Sequence, residues 1–323
     1  VSRSEFDLIA RYFSELGFRR EDVALGVGDD SALVDPPPGQ RLAICTDTLV
    51  SGIHFPEDAP AESVGHKALA VNLSDLAAMG AEPAWATLSL TLPEPDEDWI
   101  APFARGLGDL ARYHRMSVVG GDLSRGPLSI TVQAIGLVPP GRALRRSRAS
   151  VGDAVLVSGT LGDAALGLRL WRRRAVSVAS DASWLMERLH RPTARVSLGM
   201  ALRDVATACI DVSDGLAADL DHLLAASGVG AVVDVDRLPL SDAGLRFGGG
   251  RSHWRTALTG GDDYELCFTV PRQRLHAVDA VASRVGVQLT RIGTVQPGKG
   301  LQLVRSDRTP VRLTDTGYRH FRN

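Results

Sequence analysis

Nine aspartates recur in short segments that also carry Gly, Ser or Thr. They are Asp29 and Asp30 in GVGDDSA, Asp47 in CTDT, Asp75 in NLSDLAAMG, Asp122 in GGDLSRG, Asp211 and Asp214 in IDVSDG, and Asp262 and Asp263 in GGDDYEL. Glycine lets a backbone approach a ligand closely, and aspartate presents a hard oxygen on a short stem, suited to Mg2+ or Ca2+. One such aspartate is usually a turn former or a helix cap. Five or more clusters point to a shared task. Two like charges ~4 Å apart repel by roughly 4 kcal/mol at an effective dielectric of 20. Carboxylates that converge therefore need cations. Magnesium takes one or two carboxylates and completes its shell with phosphate oxygens and water. The chemistry this suggests is a metal-assisted phosphoryl transfer.

Other routes to that chemistry are missing from the sequence. No GxxxxGK[ST] loop occurs, and Lys299 in PGKGLQ lacks the following Ser or Thr. The VAIK, HRD and DFG set of protein kinases is absent. Lys67 and Lys299 are the two lysines of the chain, so metals and arginines would have to neutralise a polyphosphate. Arg142, Arg145, Arg146 and Arg148 are candidates, with a solvated basic linker as the alternative. His54 and His66 have no partners at zinc-ligand spacing, and no GxSxG elbow marks a serine hydrolase. SGTLGD could hold a phosphate at a helix N-terminus or could be a plain tight turn.

The elements that must position these residues form a mixed α/β pattern. Ser2 and Glu5 have capping-box spacing for a first helix running to Phe13. A short buried strand is expected at 41–45, leading into Thr46-Asp47-Thr48. Helices are expected at 61–79, stopped by Gly80 and Pro83, and at 96–114. Strands are expected at 85–92, 116–119 and 128–138. The Pro-, Gly- and Arg-rich stretch 139–152 marks a boundary, giving domains 1–140 and 141–323. The second half opens with a strand at 154–157, and strands at 208–212, 231–235, 265–270, 289–295 and 301–304 follow, with helices between them.

The chain has 323 residues, 44% of them hydrophobic, and a net charge of −2. That balance gives no reason to expect nucleic-acid binding. Cys45, Cys209 and Cys267 are scattered, without a CxxC pair, which suits a reducing cytoplasm. The first residues, VSRSEFDLIARYF, lack the basic start and apolar run of a secretory signal. No run of eighteen apolar residues suggests a membrane span.

The segments GVGDDSA, TDTLVSGIHF, KALAVNLSDLAAMGAEPAW, GGDLSRGPLSITV, IDVSDGL and GGDDYELCFTV together resemble the bacterial thiamine-monophosphate kinases. These belong to the aminoimidazole-ribonucleotide-synthetase-like ATP-binding superfamily, and the likeness runs from EFDLIARYF to GYRHF. The resemblance implies an α/β, two-domain fold whose N-terminal sheet forms a barrel-like interface in a homodimer. It implies ATP and several Mg2+ ions, with thiamine monophosphate as acceptor. Carried over, Asp30, Cys45, Thr46, Asp47, Asp75, Asp122, Asp211 and Asp214 resemble metal-binding positions, Cys45 standing where the family offers Ser or Thr. Gly121, Asp122, Arg146 and Ser213 resemble the ATP site. His54, Asp262 and Tyr318 resemble substrate contacts, although the family often has Glu where this chain has Asp262. The alternatives are an amide-activating enzyme of the same superfamily and a non-catalytic nucleotide sensor.

Overall fold

The structure is a computed structural model that describes residues 4–173 and 179–313. The described chain divides into two compact units, 4–76 with 81–141 and 77–80 with 142–313.

The first unit begins with α1 (Glu5–Tyr12) and the two-stranded β1 (Val23–Leu25) and β2 (Leu33–Val34). Then come β3 (Arg41–Val50), α2 (Ala61–Ala78), β4 (Glu82–Leu92), α3 (Glu97–Tyr113), β5 (Ser117–Arg125) and β6 (Ser129–Val138). The α1 capping box lies two residues later than expected. Ser4 Oγ accepts from Asp7 N and Asp7 Oδ2 accepts from Ser4 N, while Ser2 lies outside the described residues.

A four-stranded sheet runs β3-β6-β4-β5, antiparallel except for the β4–β5 pair. Strand β3 differs from the short buried strand expected. It pairs with β6 over its whole length, from Arg41↔Val138 to Val50↔Ser129. It is a sheet edge, and its outer face, with Leu42, Ile44, Thr46 and Thr48, is exposed. Strand β5 also runs further than expected. Gly120, Gly121 and Asp122 continue the ladder as partners of Thr87, Leu88 and Ser89. Gly121 has φ +155°, and a Cβ there would lie 1.7 Å from the Leu88 carbonyl oxygen, so no other residue fits.

Helix α2 is buried all round, as expected for a core helix. From Lys67 to Ala78 every residue is buried except Asp75. It meets α3 backbone to backbone through two glycines. A Cβ on Gly65 would lie 2.0 Å from the Phe103 carbonyl oxygen, and one on Gly106 1.9 Å from that of Glu62. Helix α3 keeps its expected ends. Asp96 is the N-cap, accepting from Asp98 N at 2.9 Å, and His114 is the C-cap.

The second unit contains β7 (Ala154–Ser158), α4 (Asp163–Arg173), α5 (Ala179–His190), α6 (Val196–Leu202), β8 (Ala208–Val212), α7 (Leu216–Ser227) and β9 (Gly230–Asp234). It continues with α8 (Asp242–Phe247), α9 (Trp254–Thr259), β10 (Glu265–Val270), α10 (His276–Val285), β11 (Leu289–Gln296), β12 (Gly300–Val304) and β13 (Pro310–Val311). Its seven-stranded sheet has the order β13-β12-β9-β11-β7-β10-β8. Strands β7 and β10, and β8 at the end of the order, are buried along their whole length, and Val155, Val157, Ile210, Leu220, Leu224 and Ile292 share one core. Among the described residues no helix is long and apolar enough to cross a membrane.

His114 links α3 to stability. Burial, with the nearby His66 charge, lowers its pKa from 6.5 to about 4. Between those values the unfolded chain binds more protons than the folded one, so stability falls as pH drops from about 6.5 to about 4. His114→Gln is expected to flatten this part of the profile. The check is the urea midpoint of both proteins at pH 4.5 and pH 7.5: the wild type should lose more on acidification than the variant.

Candidate functional site

In the first unit, strand alternation sorts the residues around Asp47. Ala43, Cys45, Asp47 and Leu49 share the inner face of β3, and Thr46 lies on the outer one. Cys45 Sγ lies 3.4 Å from the Asn72 carbonyl oxygen on α2. Asn72 and Asp75 are three apart, on one side of that helix. The β3–α2 contact thus gathers Cys45, Asp47, Asn72 and Asp75 toward one packed layer. The Thr46 hydroxyl points the other way, 3.5 Å from Gln133 Nε2. Side chains of Thr46 and Asp47 therefore cannot meet one ion together.

Beyond β3 the chain turns back at His54. His54 Nδ1 accepts from Val50 N at 2.9 Å, which leaves Nε2 as the nitrogen that carries the proton in a neutral ring. The buried Lys67 ammonium donates to the His54 carbonyl at 3.2 Å and ties this turn to α2. Asp30 is exposed in the 26–32 loop, its N–H donating to Asp29 Oδ1. Asp122 is exposed on β5 and accepts from Ser124 Oγ. Beside Gly121 and Asp122 opens a shallow apolar cleft, lined by Ile9, Phe13, Val27, Leu88, Leu90 and Val118.

In the second unit, IDVSDG and GGDDYEL form a single structure. Asp262 N donates to the Ser213 carbonyl at 2.8 Å, and Tyr264 N to that of Val212 at 2.8 Å. A Cβ on Gly261 would stand 2.6 Å from the Ser213 carbonyl oxygen, so glycine permits the crossing. Ser213, Asp214 and Asp262 are thereby brought together, and Asp211 lies just before them at the end of β8. Asp219, in the first turn of α7, accepts from the N–H groups of Ser213, Asp214 and Gly215 at 3.0, 3.1 and 3.1 Å. Burial and then the charges of Asp211 and Asp214 raise its pKa to about 7.

Asp262 and Tyr264 are both left-handed, with φ +69° and +50°. Such non-glycine conformations cost of order 1–3 kcal/mol each and persist only where surroundings enforce them. The Tyr264 hydroxyl donates to Asp262 Oδ1 at 3.0 Å. Asp263, between them, is fully buried, and its carboxylate oxygens accept from Gly162 N at 3.0 and 2.8 Å. Burial pushes its pKa well up. This contact resolves SGTLGD. The amide before α4 that could have met a phosphate is met by the protein's own Asp263, so the segment serves as a turn. Glu265 is also fully buried. Burial would raise its pKa, but Arg195, Arg188 and Ser158 hold it below the usual range.

Arg146 is exposed in the turn 146–148, its carbonyl accepting from Ser227 Oγ at 2.7 Å. Tyr318 lies outside the described residues. Asp219, Glu265, Arg188 and Arg195 were not singled out from the sequence. An aspartate in a first helical turn is a weak signal for Asp219. Nothing local marks the other three, because their partners lie about 70 residues or more away.

Among the described residues no group of three or more His, Cys, Asp or Glu side chains forms a ready-made metal cluster. The donor set still fits magnesium. Asp30 and Asp122 are exposed, and Asp47, Asp75 and Asp214 are half-buried, open to water and phosphate oxygens as magnesium requires.

This architecture defines a protein of the AIR synthase related type. Residues 28–138 match the AIR synthase related protein N-terminal domain and 150–306 the C-terminal domain. A relative from Salmonella typhimurium, a thiamine-monophosphate kinase, is 52% identical over 319 residues, spanning 98% of each chain. The thiamine-monophosphate kinase structure from Stenotrophomonas maltophilia K279a is 49% identical, with TM-score 0.85, covering 91% of this chain and 93% of that one. AaThiL complexed with AMPPCP and TMP is 35% identical, with TM-score 0.79, covering 91% and 92%. Within the AIR synthase related proteins, the chain belongs to the thiamine-monophosphate kinase family.

Asp219 should hold the Ser213–Gly215 turn through its three accepted bonds. A buried N–H left without a partner costs about 1–3 kcal/mol. Asp219→Ala is expected to lower unfolding free energy by at least about 2 kcal/mol. Asp219→Asn, which keeps one acceptor oxygen, should retain most of that stability. Urea unfolding of the three proteins decides between this role and an idle one, which would leave the alanine variant unchanged.

Proposed function

We propose that this chain transfers the terminal phosphate of ATP to the phosphate oxygen of thiamine monophosphate, giving ADP and thiamine diphosphate, the last step in making that diphosphate. The 52% identity over 98% of both chains to an enzyme named for this activity carries the reading. The AaThiL structure with TMP and AMPPCP, an ATP analogue, supports both substrates.

Transfer is direct and in line. The acceptor is already an ionised phosphate, so no strong base and no covalent enzyme intermediate are needed. The residues' work is alignment and charge neutralisation. Magnesium, when bound, neutralises phosphate oxygens and draws the two substrates together. Asp30, Asp47, Asp75, Asp122, Asp211 and Asp214 are the side chains that would hold it, with Thr46 and Cys45 contributing through main-chain oxygens. The orientation of the Thr46 side chain and the Cys45–Asn72 contact support that assignment.

Gly121, Asp122, Arg146 and Ser213 would meet ATP, and the apolar cleft beside Gly121 suits part of a nucleoside. His54, Asp262 and Tyr318 would meet thiamine monophosphate, His54 donating from Nε2. The first unit would serve ATP, magnesium and dimerisation, and the second the acceptor. Dimerisation through the N-terminal sheet is supported by β3, an edge strand whose Leu42 and Ile44 are 45% and 59% exposed. Free cysteines at 45, 209 and 267 suit a cytoplasmic setting.

The test is incubation with ATP, magnesium and thiamine monophosphate, with the product identified by mass. Thiamine and an aminoimidazole precursor run alongside as other acceptors. The expected product is thiamine diphosphate from the monophosphate alone, abolished by EDTA and restored by magnesium. Asp47→Asn and Asp75→Asn should each lower turnover by at least ~10²-fold with the fold intact. Tight ATP binding without turnover would instead identify a nucleotide sensor.

A further inference from the structure

Arg188 lies at the end of α5 with its side chain 8% exposed. Its Nη2 donates to Glu265 Oε1 at 2.9 Å and to the Asp263 main-chain carbonyl at 2.9 Å. Charge balance at Glu265 does not require it. Arg195 already meets both Glu265 oxygens, Nε to Oε2 at 2.7 Å and Nη2 to Oε1 at 2.6 Å. Ser158 Oγ adds a third donor at 2.5 Å, and itself accepts from Leu266 N. Burying a second guanidinium carries a desolvation penalty that a satisfied carboxylate does not repay. The bond that Arg188 alone supplies is the one to the Asp263 carbonyl.

That carbonyl sits between the two left-handed residues, Asp262 and Tyr264. Holding it fixes the 263–264 peptide plane and with it the left-handed φ of Tyr264, whose hydroxyl in turn donates to Asp262 Oδ1 at 3.0 Å. The opposite wall is shaped to the same carboxylate. Gly159 has φ +57°, and a Cβ there would lie 2.2 Å from Glu265 Oε1.

We propose that Arg188, anchored on Glu265, is a positioning residue that sets the 260–264 loop so that Asp262 faces the thiamine end of the acceptor. This rests on the reading of Asp262 as a substrate contact. Its effect falls mainly on one substrate. The Ser213–Gly215 turn assigned to ATP accepts one bond from Asp262 N at the Ser213 carbonyl, but it has three bonds of its own to Asp219.

Arg188→Lys keeps a cation, but its Nζ ends one atom short of the Nη2 position that meets both partners, so both bonds are weakened. Steady-state kinetics with each substrate varied, beside Asp262→Asn and the double variant, test the idea. Arg188→Lys should raise KM for thiamine monophosphate about tenfold and leave KM for ATP within about twofold. If Arg188 acts through Asp262, the double variant is no worse than Asp262→Asn. Ser158→Ala, a milder cut at the same carboxylate, should act in the same direction and more weakly, and serves if Arg188→Lys fails to fold. Equal losses for both substrates, or additive losses in the double variant, would overturn the proposal while leaving the Asp262 assignment standing. An Asp262→Asn enzyme with unchanged KM for thiamine monophosphate would remove the assignment itself, and the proposal with it.

Discussion

A carboxylate with no exposed surface keeps its charge only where cations and donors surround it, and Glu265 occupies such a place. Arg195 and Arg188 come to it from α6's approach and from α5, and Ser158 from the end of β7. Arg195 alone meets both oxygens, and stripping its donors from such a group would leave an uncompensated buried charge, which costs several kcal/mol. The cluster therefore cannot drift. Through it β7, α5 and β10 share a fixed point directly behind the strained 262–264 turn. The strain at Asp262 and Tyr264 is sustained by that anchor and by main-chain bonds to Ser213 and Val212.

A different balance holds in front of the turn. There burial and then the charges of Asp211 and Asp214 raise the pKa of Asp219 to about 7. Behind the loop the protein supplies the cations itself, at Glu265. The first unit shows the same division along one helix. Asp75 is the one residue between Lys67 and Ala78 that is not buried, so the core helix spends its single opening on a carboxylate.

Much of this order was legible in the sequence. Asp96, Gly80 and the apolar runs announce the helices and central strands, because caps and periodicity are local properties. Other features depend on distant partners. Strand β3 was read as short and buried, since Cys45-Thr46-Asp47 looks like a strand end; its continuation to Val50 is set by pairing with β6, some 80 residues away. The strand expected at 116–119 runs on through Gly120-Gly121, because Gly121 allows the close approach to Leu88 that keeps the ladder with β4. The capping box fell to Ser4 and Asp7, where an aspartate does what Glu5 was expected to do for Ser2. In the site, the Asp-Gly motifs identify the family, but nothing in them names Arg188 or Arg195 as the ions behind the loop.

The central claim is that the loop bearing Asp262 is built before any ligand arrives. Amide hydrogen exchange of the ligand-free protein measures this directly at Asp262 N and Tyr264 N, which donate to Ser213 and Val212. The account predicts protection at both amides approaching that of the β10 strand amides. Rapid exchange at these two positions, with protection gained only on adding both substrates and magnesium, would contradict it.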